Sequence, residues 1–206
     1  SGTGNLTQNG TGTLTLSSVN TYTGVTTINA GTLSIAAITN GGVAGNLGNS
    51  TNAAGNLVLG GGSLLYTGSN ASTDRNFTLT ASTTSEINVS NATTTLTISG
   101  TSASTNGALT KNGSGTLVLS GNNSHSGATT INGGTLVLSG TNTGSAITIN
   151  SGGILAGSGS AGSTTVNSGG KIGPGSSANS AATLTVAGLT LNSGGTYTWD
   201  MVNATG

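Results

Sequence analysis

The chain has 206 residues, of which 38 are glycine, and its three acidic and three basic residues give a formal net charge of zero. Nucleic-acid binding needs clustered Lys and Arg side chains, whereas Arg75, Lys111 and Lys171 are scattered along the sequence, so we expect no nucleic-acid partner. No apolar run approaches the ~20 residues that span a bilayer, so we expect no membrane insertion of this segment.

The first predicted elements lie in residues 6–35, LTQNGTGTLTLSSVNTYTGVTTINAGTLSI. In TLTL and TLSI, Leu and Ile alternate with Thr and Ser, which is the period-two pattern of strands with one buried face. Gly and Asn separate these runs, as expected at tight corners. The pattern predicts an ordered chain, because disordered chains lack the apolar side chains that form a core.

The next segment lacks this alternation. Residues 39–56, TNGGVAGNLGNSTNAAGN, are rich in Gly and Asn, which predicts a loop or wide turn that projects from the strands. Farther along, Asp74 and Arg75 form an adjacent pair of opposite charges. They predict either a structural ion pair or an arginine that binds the carbonyl groups of a loop.

Residues 109–138 repeat the first segment, because a shift of 103 residues aligns them with residues 6–35 at 18 identical positions out of 30. Shorter echoes of the motif INAG follow as INGG, INSGG, VNSGG and LNSGG. They begin at Ile131, Ile149, Val166 and Leu191, at intervals of 18, 17 and 25 residues. Repeats of roughly 20 residues favour a coiled solenoid, although a β-sandwich stays open.

These features predict an all-β fold, a single-stranded parallel β-helix, or β-solenoid, with roughly ten coils of about 20 residues. Residues 1–206 would form one continuous solenoid in which each coil pairs with the next at about 4.8 Å, so that like side chains stack into ladders. The predicted inward ladder contains Leu14, Leu16, Ile28, Leu33, Leu117, Leu119, Ile131, Leu136, Ile149, Val166 and Leu191. The predicted corner glycines, for which we expect positive φ, are Gly12, Gly31, Gly115 and Gly134.

Groups that could carry chemistry are sparse. Ser124, His125 and Ser126 place an imidazole beside hydroxyls, but nucleophilic catalysis also needs an orienting group and an oxyanion site. We therefore expect His125 to be a solvent-facing corner residue. A polysaccharide lyase needs clustered carboxylates with calcium and a base, whereas the carboxylates here are scattered. One His and no Cys leave no zinc ligand set. We predict no enzyme activity, no cofactor and no metal site.

The sequence LTKNGSGTLVLSGNNSHSGATTINGGTLVL and its copy at residues 6–35 resemble the autotransporter-associated β-strand repeat of bacterial passenger regions. Residues 61–79 are similar to the coils that link such repeats. One departure is His125, where that family usually has the Tyr that the first copy retains as Tyr22. The resemblance implies a right-handed parallel β-helix that is exported and displayed on, or released from, a Gram-negative-type cell surface.

Two hypotheses about function follow. In the first, the chain is a non-enzymatic structural rod, a stalk, coat or fibre segment, whose exposed ladder ends self-associate end to end into filaments. In the second, it is an adhesin whose lateral face binds a cell-surface glycan or protein. The predicted contact region of the adhesin is residues 39–56 together with Tyr66, Tyr197 and Trp199.

Overall fold

The computed structural model describes residues 2–175 and 182–198, which form a parallel β-solenoid. The strands of this part of the chain form three sheets, and each pair of neighbouring strands is parallel. Its helical content is one short 3-10 turn, Ala54–Asn56. No helix within these residues has the length and apolar character needed to cross a membrane.

Strands within residues 6–66 alternate between the four-stranded and ten-stranded sheets, and the strands from residue 84 onward belong to the ten-stranded and seven-stranded sheets. The four-stranded sheet contains β1 (Leu6–Gln8), β3 (Thr26–Ile28), β5 (Leu57–Leu59) and β8 (Thr78–Leu79). The ten-stranded sheet contains β2 (Thr13–Leu16), β4 (Thr32–Ile35), β6 (Ser63–Tyr66), β9 (Thr84–Val89), β11 (Ala108–Asn112), β13 (Thr129–Ile131), β15 (Thr141–Asn142), β16 (Ile147–Ile149), β18 (Ser160–Val166) and β20 (Thr185–Leu191). The seven-stranded sheet contains β7 (Ala71–Thr73), β10 (Thr95–Ile98), β12 (Thr116–Leu119), β14 (Gly134–Leu138), β17 (Gly153–Gly157), β19 (Lys171–Ile172) and β21 (Thr196–Tyr197).

The strand register corrects the predicted number of coils, which is about eight and not ten. Nine side chains of the ten-stranded sheet lie in register along one inward column: Leu14, Leu33, Leu64, Ile87, Lys111, Ile131, Ile149, Val166 and Leu191. Successive rungs of this column are one turn of the chain apart, so the nine rungs enclose eight turns. The turn between Leu33 and Leu64 is the longest of them, because it includes the irregular segment 39–56.

The predicted ladder residues lie on several inward columns that share one core. Leu117 and Leu136 form a column of the seven-stranded sheet, Leu119 lies beside them, and all three are fully buried. Such side chains contribute about 2 kcal/mol each by leaving water. The side chains at the two ends of the ladder are less buried: Leu14 and Leu16 are half-buried, and Leu191 is 49% exposed. Each lies in the first or last described coil, where only one neighbouring coil covers it.

The four predicted corner glycines divide into two kinds. Gly31 and Gly134 have φ of 60° and 61°, as expected, and a Cβ atom on Gly134 would also lie 2.4 Å from the Gly115 carbonyl oxygen. The expectation of positive φ was wrong for Gly12 and Gly115. Gly115 is required by close packing, because its Cβ would lie 2.4 Å from the Asn91 carbonyl oxygen, whereas Gly12 borders open space in the first coil.

The two repeat copies occupy different faces of the solenoid. Strand β1 of the first copy belongs to the four-stranded sheet, whereas its equivalent β11 belongs to the ten-stranded sheet. Likewise, β2 lies in the ten-stranded sheet and its equivalent β12 in the seven-stranded sheet. The coils between the copies therefore rotate the repeat by one face, so that residues aligned in sequence do not stack in one column.

The prediction that residues 39–56 project from the rod was wrong. Leu47 and Ser50 are each 1% exposed, and Asn46 is 4% exposed. The Asn46 side-chain amide donates to the Ser18 carbonyl oxygen at 2.9 Å, and its Oδ1 accepts from the Ala37 amide at 2.8 Å. This segment therefore packs against the early coils and covers the core where the seven-stranded sheet has not yet begun.

Candidate functional site

Arg75 is a buried residue of the solenoid that donates hydrogen bonds to residues 39–56. It is 2% exposed, and its guanidinium donates through Nε to the Thr39 carbonyl oxygen at 3.1 Å and through Nη2 to the Gly48 carbonyl oxygen at 3.0 Å. Its Nη1 donates to the carbonyl and hydroxyl oxygens of Ser50 at 3.2 and 3.0 Å. Burial lowers the pKa of Arg75 from its ordinary value. The arginine thus binds loop carbonyls, the second alternative raised by the sequence.

Asp74 binds a different part of residues 39–56 from the part that Arg75 binds. Its Oδ1 accepts a hydrogen bond from the Gly41 amide at 2.7 Å, and its own amide donates to the Asn40 side chain at 3.1 Å. Both members of the charged dipeptide therefore bind residues 39–56, each through its own set of contacts. Their role is to hold a segment in place, and neither side chain is directed at a shared binding site.

Lys111 occupies the apolar column between Ile87 and Ile131 and is fully buried. Its Nζ donates to the carbonyl oxygens of Asn112, Gly113 and Gly133 at 2.8, 3.0 and 3.0 Å. Burial lowers the pKa of Lys111 to about 8, and the negative charge of Glu86 partly opposes this shift. The ammonium group thus satisfies carbonyls at the corner where the chain passes between two sheets.

In the first repeat copy, an uncharged side chain donates hydrogen bonds to the carbonyl oxygens of the equivalent corner. Gln8 aligns with Lys111 after the 103-residue shift. Its Nε2 donates to the carbonyl oxygens of Gly10 and Gly12, at 3.0 Å each. A long side chain with a terminal N–H donor at this position is therefore a shared structural feature of both copies, and the charge is not essential to it.

His125 is fully buried, which corrects the prediction that it faces solvent. Its Nδ1 lies 3.0 Å from the Ser102 hydroxyl, which also accepts hydrogen bonds from the amides of Ser124 and His125. The Ser102 proton therefore points to Nδ1, and Nε2 carries the ring proton and donates to Thr129 Oγ1 at 3.1 Å. Burial lowers the pKa of His125 to about 4.

This hydrogen-bond chain continues inward and ends on the backbone. Thr129 Oγ1 lies 2.8 Å from Ser145 Oγ, which donates to the Gly127 carbonyl oxygen at 2.7 Å. His125, Thr129 and Ser145 are each fully buried. A substrate has no access to these hydroxyls, so the chain satisfies polar groups inside the coil and offers no reactive site. The sequence placed His125 beside Ser124 and Ser126, whereas its side-chain partners are Ser102 of the preceding coil and Thr129, four residues farther along the chain.

The asparagines of the strand-Asn-Gly motifs form a ladder along one corner of the solenoid. Asn150 donates to the Asn132 side chain at 2.7 Å, Asn167 to Asn150 at 2.8 Å, and Asn192 to Asn167 at 2.8 Å. In the first copy, Asn29 donates to Asn9 at 2.8 Å in the same way. The motif therefore does more than terminate strands, because its amide groups tie successive coils together.

An open cleft of about 320 Å³ crosses the corner between the four-stranded and ten-stranded sheets. Its backbone floor is formed by Gly31, Gly61 and Gly62. The remaining lining residues are hydroxyl-bearing or acidic: Thr32, Ser63, Thr84, Ser85, Glu86 and Thr110. Composition alone did not reveal this cleft, because its residues come from four successive coils.

The aromatic residues predicted for glycan contact are not brought together as a platform. Tyr66 is 1% exposed, and its hydroxyl donates to the Ser69 carbonyl oxygen at 2.7 Å, so the prediction that it contacts a ligand was wrong. It is buried because it lies on the inward side of β6, in register with Ile35 and Val89. Tyr197 is 46% exposed, and Trp199 lies outside the described residues.

Metal ligands are likewise dispersed. Within residues 2–175 and 182–198, no group of three or more His, Cys, Asp or Glu side chains is placed to hold a metal ion. Asp200, one of the three acidic residues in the sequence, lies outside the described residues.

Comparison with known proteins bears on the two repeat copies. The passenger-associated-transport-repeat family matches residues 6–35 and residues 109–138, the same two segments that the self-comparison aligned. The chain thus carries two copies of this repeat. Its repeats supply β1 to β4 and β11 to β14 of the solenoid. The coils between and after the two repeats belong to the same continuous core.

A curated relative is the protein "Adhesin BmaC autotransporter" of Brucella suis biovar 1 (strain 1330). The two are 49% identical over 82 residues, which is 39% of this chain. The chain spans 2% of the length of that relative. No solved structure matches the chain significantly.

Proposed function

We propose that this chain is a non-enzymatic rod segment, exported to a bacterial cell surface as part of an autotransporter passenger. The observation that carries the proposal is the column of nine in-register rungs over one buried core. A continuous ladder of this kind resists unfolding and proteolysis, since each coil is stabilised by its neighbours. The rod then acts as a stalk that holds other parts of the surface protein away from the cell.

The rod proposal is tested by removing one whole coil. Deletion of residues 132–149 joins Ile131 to Asn150 and preserves the register, because Ile131 pairs with Ile149. We expect the shortened surface protein to stay folded and displayed, whereas deletion of residues 132–140 breaks the register and exposes the chain to protease. Antibody labelling of intact cells measures display. A segment that is labelled only after cell lysis contradicts the proposal.

A second candidate function is adhesion through the lateral face of the rod. The similarity to a protein named as an adhesin supports it, and so does the polar cleft on the outer surface. Beads that carry the folded 206-residue chain are expected to bind epithelial cells, and free chain is expected to compete. Binding no stronger than that of beads carrying the heat-unfolded chain would remove adhesion from consideration.

End-to-end association is the third element of the proposal. The last described coil leaves Leu189 and Leu191 44% and 49% exposed on β20. Among the described residues, β20 pairs only with β18, so its other edge is of the kind that can add a further strand. Analytical ultracentrifugation is expected to detect concentration-dependent oligomers that Leu189→Lys abolishes and Val43→Lys retains. Val43 is 51% exposed in the irregular segment and serves as the matched surface control. A monomer at all concentrations contradicts this element.

A further inference from the structure

Glu86 is the one break in a column of hydroxyl groups on the outer surface. Nine outward residues of the ten-stranded sheet lie in register, and eight of them are Thr or Ser. In order along the rod they are Thr13, Thr32, Ser63, Glu86, Thr110, Thr130, Thr148, Thr165 and Thr190. A carboxylate in a chain with only three acidic residues therefore lines the open cleft.

The polar groups of this cleft retain hydrogen-bonding capacity. Glu86 Oε1 accepts from the Asn88 side chain at 2.9 Å, and Oε2 has no hydrogen-bond partner among the described residues. Within that part of the chain, the hydroxyls of Thr32, Ser63 and Thr84 also have none. The Lys111 ammonium is committed to backbone carbonyls, so it does not occupy the carboxylate. These groups are free to bind a polar ligand from solvent.

The floor of the cleft is closed to side chains by the fold itself. Gly61 has φ of 117°, a conformation that L side chains rarely adopt. A Cβ atom on Gly62 would lie 2.6 Å from Ile28 Cγ2 in the core. Glycine is therefore required at Gly61 by the backbone conformation and at Gly62 by packing, and the missing side chains leave the recess beneath the hydroxyls.

The shape and charge of the cleft define the chemistry of its ligand. The column from Thr32 to Thr110 spans three strand spacings, roughly 14 Å, which suits an extended ligand of a few rings. The residues that line the cleft include no aromatic side chain, so stacking does not contribute to binding. Recognition then depends on hydrogen bonds, and a cation bound to Glu86 makes the strongest of these.

We propose that the Glu86 cleft binds a short oligosaccharide of amino sugars with free ammonium groups. The ammonium donates to Glu86 Oε2, and the sugar hydroxyls exchange hydrogen bonds with Thr32, Ser63 and Thr84. The inference rests on the proposed adhesive role of the lateral face and names the site and the ligand class for it.

The direct test is isothermal titration calorimetry of the 206-residue chain with a β-1,4-linked glucosamine trimer. We expect saturable binding, and at least tenfold weaker binding of the N-acetylated trimer, because acetylation removes the charge-assisted hydrogen bond. A lysine trimer supplies the same ammonium groups without sugar hydroxyls and is also expected to bind at least tenfold more weakly. Equal affinity for the glucosamine and lysine trimers overturns the proposal, as does equal affinity for the two sugars.

Three variants locate the site. Glu86→Gln removes the charge while keeping an oxygen for Asn88, and Ser63→Tyr fills the cleft from an outward position. Both are expected to weaken binding of the glucosamine trimer at least tenfold. Thr148→Val changes the same column outside the cleft and is expected to bind like the wild type. Thermal unfolding confirms that each variant is folded, and wild-type affinity in folded Glu86→Gln contradicts the assignment.

The same variants separate this inference from adhesion in general. Cell binding by the chain without binding of the glucosamine trimer leaves the adhesive role standing and overturns the inference. Trimer binding that depends on Glu86, without any cell binding, supports the inference and overturns the adhesive role.

Discussion

The Nε2 atom of His125 lies 3.1 Å from Thr129 Oγ1, and in the other repeat copy the Tyr22 hydroxyl lies 2.8 Å from Thr26 Oγ1. The two pairs align after the 103-residue shift. A long aromatic side chain therefore reaches the same buried threonine in both copies, although the ring and the face of the solenoid differ. The histidine preserves the hydrogen bond of the tyrosine and adds a group that can take up a proton in acid.

This difference predicts that the second copy is sensitive to acid. The folded-state pKa of His125 is about 4, below the ~6.5 of an unfolded chain. The unfolded state therefore binds the extra proton first, and stability falls as the pH drops from ~6.5 to ~4. The loss approaches about 3 kcal/mol. His125→Tyr is expected to remove this part of the pH dependence, as measured by urea unfolding between pH 7 and pH 4. An unchanged slope would contradict the assignment to His125.

Replacing Lys111 tests whether a buried donor is needed at the corner. Lys111→Met leaves three carbonyl oxygens without their partner, and we expect the free energy of unfolding to fall by about 2 to 4 kcal/mol. Lys111→Gln keeps an N–H donor, as Gln8 does in the first copy, and is expected to lose less than half as much. Chemical denaturation measures both variants. Equal losses would mean that the charge matters more than the donor.

Removal of the Arg75 guanidinium is expected to release residues 39–56 from the rod. Arg75→Met deletes four hydrogen bonds to this segment, which we expect to cost about 3 kcal/mol or more. Hydrogen exchange within residues 39–56 should accelerate, while exchange in β13 and β16 should stay unchanged. Lys171→Met, at an exposed position, is the matched control. Unaltered exchange in the segment would show that its other contacts suffice.

The asparagine ladder predicts a position-dependent loss of stability. Asn150→Ala removes two ladder bonds, one to Asn132 and one from Asn167, so we expect a loss of about 1 to 2 kcal/mol. Asn192→Ala removes one bond at the end of the ladder and is expected to lose about half as much. Urea titration of the two variants provides the comparison. Equal losses would imply that each asparagine stabilises only its own turn, and that the hydrogen bonds between coils contribute little.

Several features of the fold followed from the local pattern. Alternation in TLTL and TLVL identified strands, and the inward set from Leu33 to Val166 is buried as that alternation requires. The same reasoning could have found Lys111, because it stands two residues after the buried Leu109 and so points inward. A charged residue at an inward position of an alternating strand was the available signal.

Other features depend on which coils become neighbours. His125 bonds to Ser102 of the adjacent coil, and its neighbour Thr129 bonds to Ser145, so the buried chain of hydrogen bonds joins residues that are distant in sequence. Unequal coil lengths decide those neighbours, since the coil from Ile149 to Val166 is short and the coil from Leu33 to Leu64 is long. The Glu86 cleft has the same origin, because its lining residues meet only after the register is set.

Alternation and corner chemistry act over a few residues, so the sequence was sufficient to define the β-solenoid, its two related repeats and the apolar identity of its core. The folded chain was needed for the number of turns, the rotation of the repeats by one face, the inward position of His125 and the packing of residues 39–56 against the rod. These depend on the strand register, which sums the lengths of all preceding corners. A short sequence window carries no information about that sum.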